Sequence, residues 1–522
     1  MATDENRSSM IQEFYRAANI FITGGTGFMG KVLLEKLLRS CSNINNIYLL
    51  IRSKKDKDVE TRLKELFEEP LFAKLRSEQP RFRDKVVAVE GDCEERALGL
   101  NDFDKKRLLV SVDVVFHLAA TVRFEERLRT AVNINVRGTL DLLQLCKECV
   151  HLKSVIYLTT IYSQGYQLHV DEEFYDCPLS AENIIHLVAC LEDDVLTKIT
   201  PALLNGWPNT YSLTKAIAEA SVKAHGKELP IGIFRPGIVM STYAEPFPGW
   251  VDNLNGGTPY TLNIALGMLH VSPTNPSYET SFVPCDMTIN AIIASAWDVH
   301  QRRKSGKMEA MLYNYVPSCD NSITWGQVTD LVCKNSRKVP LGRELWEPFI
   351  IQTKFYYIYM LLSFPLHWLQ ALVYDVVVLS TGRRLRMMKM YMKFHRLLRI
   401  TSYISLNKWE FPNKNMRDIC QVISDAERKI FPFDMKDIDW DLYFFNVLKG
   451  YRLYLLKEDS VILPEVFQKR KRLYWRHQFA KALLTALVLA AVSFTFSISI
   501  YTAGVIWFGV LFYTVKSFST SK

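Results

Sequence analysis

The chain has little of what would mark it as secreted, metal-stapled or fibrous. Its 522 residues hold 10 cysteines, of which only Cys146 and Cys149 stand close together. Lacking a second pair, they complete neither a zinc site nor a disulfide framework, so reduced thiols in the cytosol are expected. Residues 1–18 are polar and mixed in charge, without the apolar run of a secretory leader. A strong charge of one sign is missing too, since the net charge of +9 is modest for this length. Neither a nucleic acid nor a metal is expected as a partner. The basic clusters that do occur lie late, in Arg383-Arg384-Leu-Arg386 and Lys469-Arg-Lys-Arg472. Both fit an anionic membrane surface, and the first fits an ordinary solvated face equally well.

Apolar residues make up 48% of the chain, enough for substantial cores in two or more domains. Apolar β-rich runs at 47–51, 86–89, 112–117, 155–158 and 231–234 alternate with helical patterns. That alternation predicts a Rossmann-like, doubly wound parallel sheet with helices on both faces. Residues 240–290, richer in Gly, Pro and Asn, are expected to form substrate-facing loops. Past residue 345 the pattern turns helical and aromatic. The segment 355–379 is apolar but interrupted by Pro365, His367, Gln370 and Asp375. It reads as a buried or interfacial helix pair rather than a spanning helix. From Ala482 to Val515 no charge occurs. As a helix that stretch would be about 50 Å long, beyond the ~30 Å hydrocarbon core. A tilted span with an interfacial piece, or a hairpin turning near Tyr501-Thr-Ala-Gly504, is expected, with the flank 469–476 on the cytosolic side. The expected division is 1–345, 346–465 and a membrane segment or hairpin at 479–515.

Chemistry enters with Thr23-Gly24-Gly25-Thr26-Gly27-Phe28-Met29-Gly30, set between an apolar run and the amphipathic stretch 31–38. Strand, tight turn and helix in that order are what a dinucleotide pyrophosphate requires, with the helix N-terminus offering free N–H groups. Absent is the acidic residue that would hold a ribose 2'-hydroxyl after the second strand. Arg52, Lys54 and Lys55 stand there instead, which favours a 2'-phosphate and hence NADPH, with Arg52 as the leading contact. Further strand ends supply Asp92 and Cys93, Ala119 and Ala120, and, in Asn133-Ile-Asn135, Asn135. Their small or polar side chains would let a flat cofactor cross the crest of the sheet. Tyr211 and Lys215 lie one helical turn apart. A tyrosine of pKa near ~10 needs a neighbouring cation to act as an acid at neutral pH, and Lys215 is the candidate. Thr160, with Thr159 as the alternative, can polarise a substrate oxygen, whereas Tyr162 and Ser163 read as structural.

The glycine turn, the Tyr211 and Lys215 pair, and Phe234-Arg235-Pro236-Gly237-Ile238-Val239 resemble the extended short-chain dehydrogenase/reductases. More narrowly, residues 23–38, Glu245-Pro-Phe-Pro-Gly-Trp-Val-Asp-Asn-Leu-Asn-Gly256 and Val283-Pro-Cys-Asp286 resemble the fatty acyl-CoA reductases. Asp439-Trp-Asp-Leu-Tyr443 and 449–458 are similar to their C-terminal male-sterility domain. The resemblance implies cofactor contacts at Pro236, Gly237 and Val239. It also implies reduction of a long-chain acyl-CoA to a primary alcohol with two NADPH, on a membrane of the endoplasmic reticulum or peroxisome, with the catalytic domain facing the cytosol. A homo-oligomer is compatible with it. Rival expectations are a membrane-bound dehydrogenase of a sterol or other lipid alcohol, and a catalytically silent lipid-binding scaffold. Three positions depart from the family pattern. Gly25 replaces Ala, Gly237 stands where Ser is commoner, and 257–266 lacks glycines usual there, which bears on the substrate entrance.

Overall fold

A computed structural model describes residues 9–54, 57–165, 167–317, 321–380, 387–496 and 505. Seven strands form one sheet: β1 (Asn19–Thr23), β2 (Asn46–Ile51), β3 (Val86–Glu90), β4 (Val114–His117), β5 (Ser154–Leu158), β6 (Ile231–Pro236) and β7 (Met311–Tyr315). Their order is β7-β6-β5-β4-β1-β2-β3, and every neighbouring pair is parallel. The order reverses between β1 and β4, which opens a crevice at the carboxyl ends of these strands. Side chains alternate across the sheet. Ile20 and Ile22 join the apolar cluster of α1 (Phe28–Ser40) and α4 (Cys285–Lys304), while Phe21 joins that of α2 (Gly138–Glu148) and α3 (Thr210–His225). The doubly wound α/β class expected from the sequence is therefore the observed one. Strand β7 escaped the sequence reading because Asn314 interrupts its apolar run. That asparagine is buried, and its Nδ2 donates to the carbonyls of Val170 and Pro412 at 2.9 and 2.8 Å.

The stretch 240–290 is more ordered than the expected loops, holding the helix Thr258–Ala265 and a parallel strand pair, Ile238–Met240 with Phe282–Pro284. The buried Asp286 carboxylate accepts the N–H groups of Tyr243, Ala244 and Glu245 at 2.7, 2.7 and 2.8 Å. The motif ending in Asp286 is thus a brace for the segment beginning at Glu245.

In the C-terminal region, helix α5 runs from Tyr356–Ser363 through a π-type turn at Phe364–Trp368 into Leu369–Ser380, and pairs with α6 (Met387–Leu406). The π turn lets the helix continue through Pro365, whose ring would clash in a regular one. The interrupting polar residues are used locally. The buried His367 accepts the His270 N–H at 3.0 Å, and the Asp375 carboxylate accepts those of Met387 and Met388 at 3.0 Å, capping α6. Tyr356–Leu379 is long and apolar enough to cross a membrane by length and composition alone, and much of its surface is exposed, so of the two expected placements the buried one does not hold.

Helices α7 (Trp440–Gly450) and α8 (Pro464–Phe496) complete the chain as described. Phe431, Phe444 and Tyr451 share one buried apolar cluster with α1 and α4. A Cβ on Gly450 would lie 1.7 Å from the Gly249 carbonyl oxygen, so the two family motifs meet backbone to backbone. Of the basic flank, Lys469 donates to the Gly342 carbonyl at 2.8 Å and Arg470 pairs with Glu344 at 2.8 Å, so both fold onto the protein instead of facing outward. The cluster at 383–386, Lys55 and the turn expected at 501–504 lie outside the described residues.

Candidate active site

Glycine is required where β1 turns into α1. Gly24 has φ +74°, and a Cβ there would sit 2.5 Å from the Ala119 nitrogen. A Cβ on Gly30 would sit 2.2 Å from the Gly24 carbonyl oxygen, so only glycine lets the helix pack this closely on the strand. Gly27 caps α1 without a side-chain hydrogen bond, leaving N–H groups of the first turn directed at the crevice. At Gly25 a Cβ would meet Leu49 Cδ1 at 2.0 Å, the end of a side chain that can move aside. Gly237 is fixed by packing, since a Cβ would fall 2.1 Å from the Ser281 carbonyl oxygen and a serine has no room.

A cavity of about 590 Å³ opens above this turn. Among the residues singled out from the sequence, Gly24, Gly27, Phe28, Met29, Gly30, Ala120, Thr160, Tyr211, Lys215, Pro236, Gly237 and Val239 line it. Tyr211 stands in the first turn of α3, whose N-terminus is capped by Asn209 accepting the Ser212 N–H at 2.8 Å. Thr160, from the loop after β5, lines the same cavity wall. Burial pushes the phenol pKa up, and the Thr160 contact counteracts this only in part. One turn on, Lys215 Nζ donates to the Leu158 carbonyl at 2.8 Å and the Tyr157 hydroxyl at 3.5 Å. Burial brings its own pKa down to about 7, against the pull of Glu219.

Thr159 also lines the cavity, whereas Thr23, Asn135, Arg52, Asp92, Cys93 and Ala119 sit off its wall. Thr23 is buried and shares a 2.6 Å hydrogen bond with His117 Nδ1, while its Oγ1 accepts the Ala119 N–H at 3.3 Å. His117 is kept neutral by burial, its pKa brought down to about 3. Asn135, in a π-type turn, donates to Thr214 Oγ1 at 2.9 Å and accepts the Thr121 N–H at 3.0 Å, tying α3 to the cavity rim. Arg52 and Asp92, beyond the ends of β2 and β3, pair at 3.7 Å, and the buried Cys93 packs its carbonyl against Gly138.

Sequence reasoning missed the layer beneath. Glu219 accepts from Thr159 and Ser163 at 2.8 and 2.6 Å and forms a fully buried ion pair with Arg235 at 2.6 Å. Thr159 is thereby committed, leaving Thr160 to face Tyr211. The spacing 211, 215, 219 on one helix face was the available signal. Also missed were Leu397, Ile400, Tyr403 and Ile404 of α6, which close the cavity from far along the chain.

Fold and cavity together define a nicotinamide-dinucleotide-dependent oxidoreductase. Two family models, both described as male sterility protein, match residues 22–292 and 366–458. The chain is similar to fatty acyl-CoA reductase wat of Drosophila melanogaster, at 37% identity over 94% of each chain. It is also similar to fatty acyl-CoA reductase 1 of Xenopus laevis and of Homo sapiens, at 36% and 34% identity over 87% of this chain and 88% of each relative. Among solved structures, the reductase domain of a nonribosomal peptide synthetase from Mycobacterium tuberculosis shares the fold, with TM-score 0.56 and 18% identity over 87% of this chain and 97% of that one. The chain belongs to the fatty acyl-CoA reductase family.

Proposed function

We propose that the protein reduces long-chain fatty acyl-CoA to the primary alcohol in two rounds with NADPH, while held on a cytosol-facing membrane surface of the endoplasmic reticulum or peroxisome. The observation that carries the reading is the placement of Thr160, Tyr211 and Lys215 together on the wall of a cavity whose far side is apolar. The glycine turn fits a pyrophosphate, because Gly24, Gly27 and Gly30 line the cavity and Gly27 leaves the first N–H groups of α1 without a side-chain cap. Arg52, largely exposed beyond β2, supports a 2'-phosphate and therefore NADPH. When bound, this cofactor supplies the hydride.

The residues of the chain handle charge and protons. Thr160 and Tyr211 hydroxyls donate to the thioester oxygen as it gains negative charge, on a largely apolar wall where such donors count for more than in bulk water. Collapse of the hemithioacetal expels the CoA thiolate and leaves the aldehyde. In the second round Tyr211 passes its hydroxyl proton to the alkoxide, with the Lys215 ammonium stabilising the phenolate left behind. Glu219 and Arg235 keep α3 and the loop after β5 in register. No observation favours a sterol dehydrogenase. Membranes carrying the protein, incubated with NADPH and acyl-CoAs of graded length, are expected to yield primary alcohol and free thiol, with NADH a poor substitute. Absence of alcohol at every length contradicts the reading.

A further inference from the structure

Beyond the catalytic chamber lies a narrow side branch of about 70 Å³, against about 590 Å³ for the chamber itself. The two share Phe124, Ile238, Gly256, Leu397 and Ile404, so the branch begins where the chamber wall meets α6. Phe394, Leu398, Thr401 and Ser405 continue along one face of α6 at helical spacing, and the rings of Trp325 and Tyr260 bound the opposite side. These rings stand edge to face at 5.5 Å, and Trp325 is held again by Phe282 at 5.3 Å.

Among the described residues, no charged side chain lines the branch. Its hydroxyls are all engaged with the protein. Tyr260 accepts from Gln352 at 3.0 Å and shares a hydrogen bond with Ser272 at 3.2 Å. Thr274 and Ser405 are bonded at 3.4 Å, Ser405 donates to the Pro273 carbonyl at 3.1 Å, and Thr401 donates to the Leu397 carbonyl at 3.0 Å. A polar ligand would lose its hydration here and find no partner, whereas a hydrocarbon loses nothing. The narrow bore admits a linear chain and not a fused ring system. The polar pantetheine arm is excluded by the same argument and is left the wider chamber, whose rim carries Arg123.

We propose that the acyl chain runs along the apolar side of the chamber and that its end enters this branch beneath α6, where Trp325 and Thr401 set the chain length the protein accepts. The proposal rests on the acyl-CoA reading above. Each methylene buried in such a branch is worth about fourfold in kcat/KM, so closing it penalises long chains selectively. The experiment compares wild type, Thr401→Phe and Trp325→Ala, as full-length protein in detergent, on octanoyl-, hexadecanoyl- and docosanoyl-CoA. NADPH binding serves as the check on folding. Thr401→Phe is expected to lower the ratio of kcat/KM for hexadecanoyl-CoA to that for octanoyl-CoA by about tenfold or more, and Trp325→Ala to shift preference toward docosanoyl-CoA. If the wild type reduces these substrates and Thr401→Phe changes every length alike, the placement is overturned while the function stands. If the wild type reduces none of them, the function falls and the placement falls with it.

Discussion

Tyr211 and Lys215 sit one helical turn apart in a buried wall, and burial drives them in opposite directions, the phenol up and the amine down to about 7. The consequence for Tyr211 is a proton held until a strongly basic alkoxide forms beside it. Tyr211→Phe should therefore lower alcohol formation by about 10² to 10⁴ while the NADPH affinity, measured by fluorescence titration, barely changes. A near wild-type rate would remove Tyr211 from the chemistry. For Lys215 the sign is that the amine is charged below about pH 7 and neutral above it. If the ammonium is the working form, kcat/KM for NADPH, which reports the free enzyme, falls as pH rises through about 7. Lys215→Arg should move that falling limb to higher pH, and a limb left in place would assign it elsewhere. The pair was legible in the sequence because its spacing is local. Glu219 and Arg235 were not, because their ion pair closes only when α3 packs against β6, a contact between elements that no local pattern encodes.

At the level of elements, six of the seven strands were readable because each forms an apolar run, most of them buried on both faces and the edge strand β3 only in part. Strand β7 was not, since the tertiary contacts of Asn314 supply what an apolar side chain would otherwise give. The polar residues within helix α5 have a similar explanation. His367 and Asp375 look like interruptions in sequence, yet one binds the His270 N–H and the other caps α6. Between elements, the Arg235–Glu219 pair is the most exposed to a single change, since losing one partner strands a buried charge. Arg235→Met is expected to cost about 3–5 kcal/mol of stability, readable as a lowered denaturation midpoint. An unchanged midpoint would mean that Glu219 is satisfied without the guanidinium.

Taken as a whole, the molecule joins a dinucleotide crevice, an apolar chamber roofed by α6, and two apolar helices with exposed surfaces. The sequence showed the first and hinted at the last. The roof was invisible, because Leu397 and Ile404 lie almost two hundred residues beyond Tyr211. On the membrane-bound reading proposed above, the two exposed apolar helices found among the described residues would be the two points of attachment. Cutting after about residue 475 should therefore make the protein extractable by high salt or alkaline carbonate while α5 retains a weaker hold through its apolar face. Full-length protein released by carbonate would rule out a spanning tail. The central claim is that one site delivers two hydrides in succession to the same carbon of an acyl-CoA. It is tested most directly by supplying membranes with hexadecanoyl-CoA and NADPH deuterated at the transferred position, then weighing the alcohol. The account expects two deuterium atoms on carbon one of the alcohol, together with free CoA. Alcohol carrying one deuterium or none, or aldehyde that accumulates without ever being reduced, would contradict it.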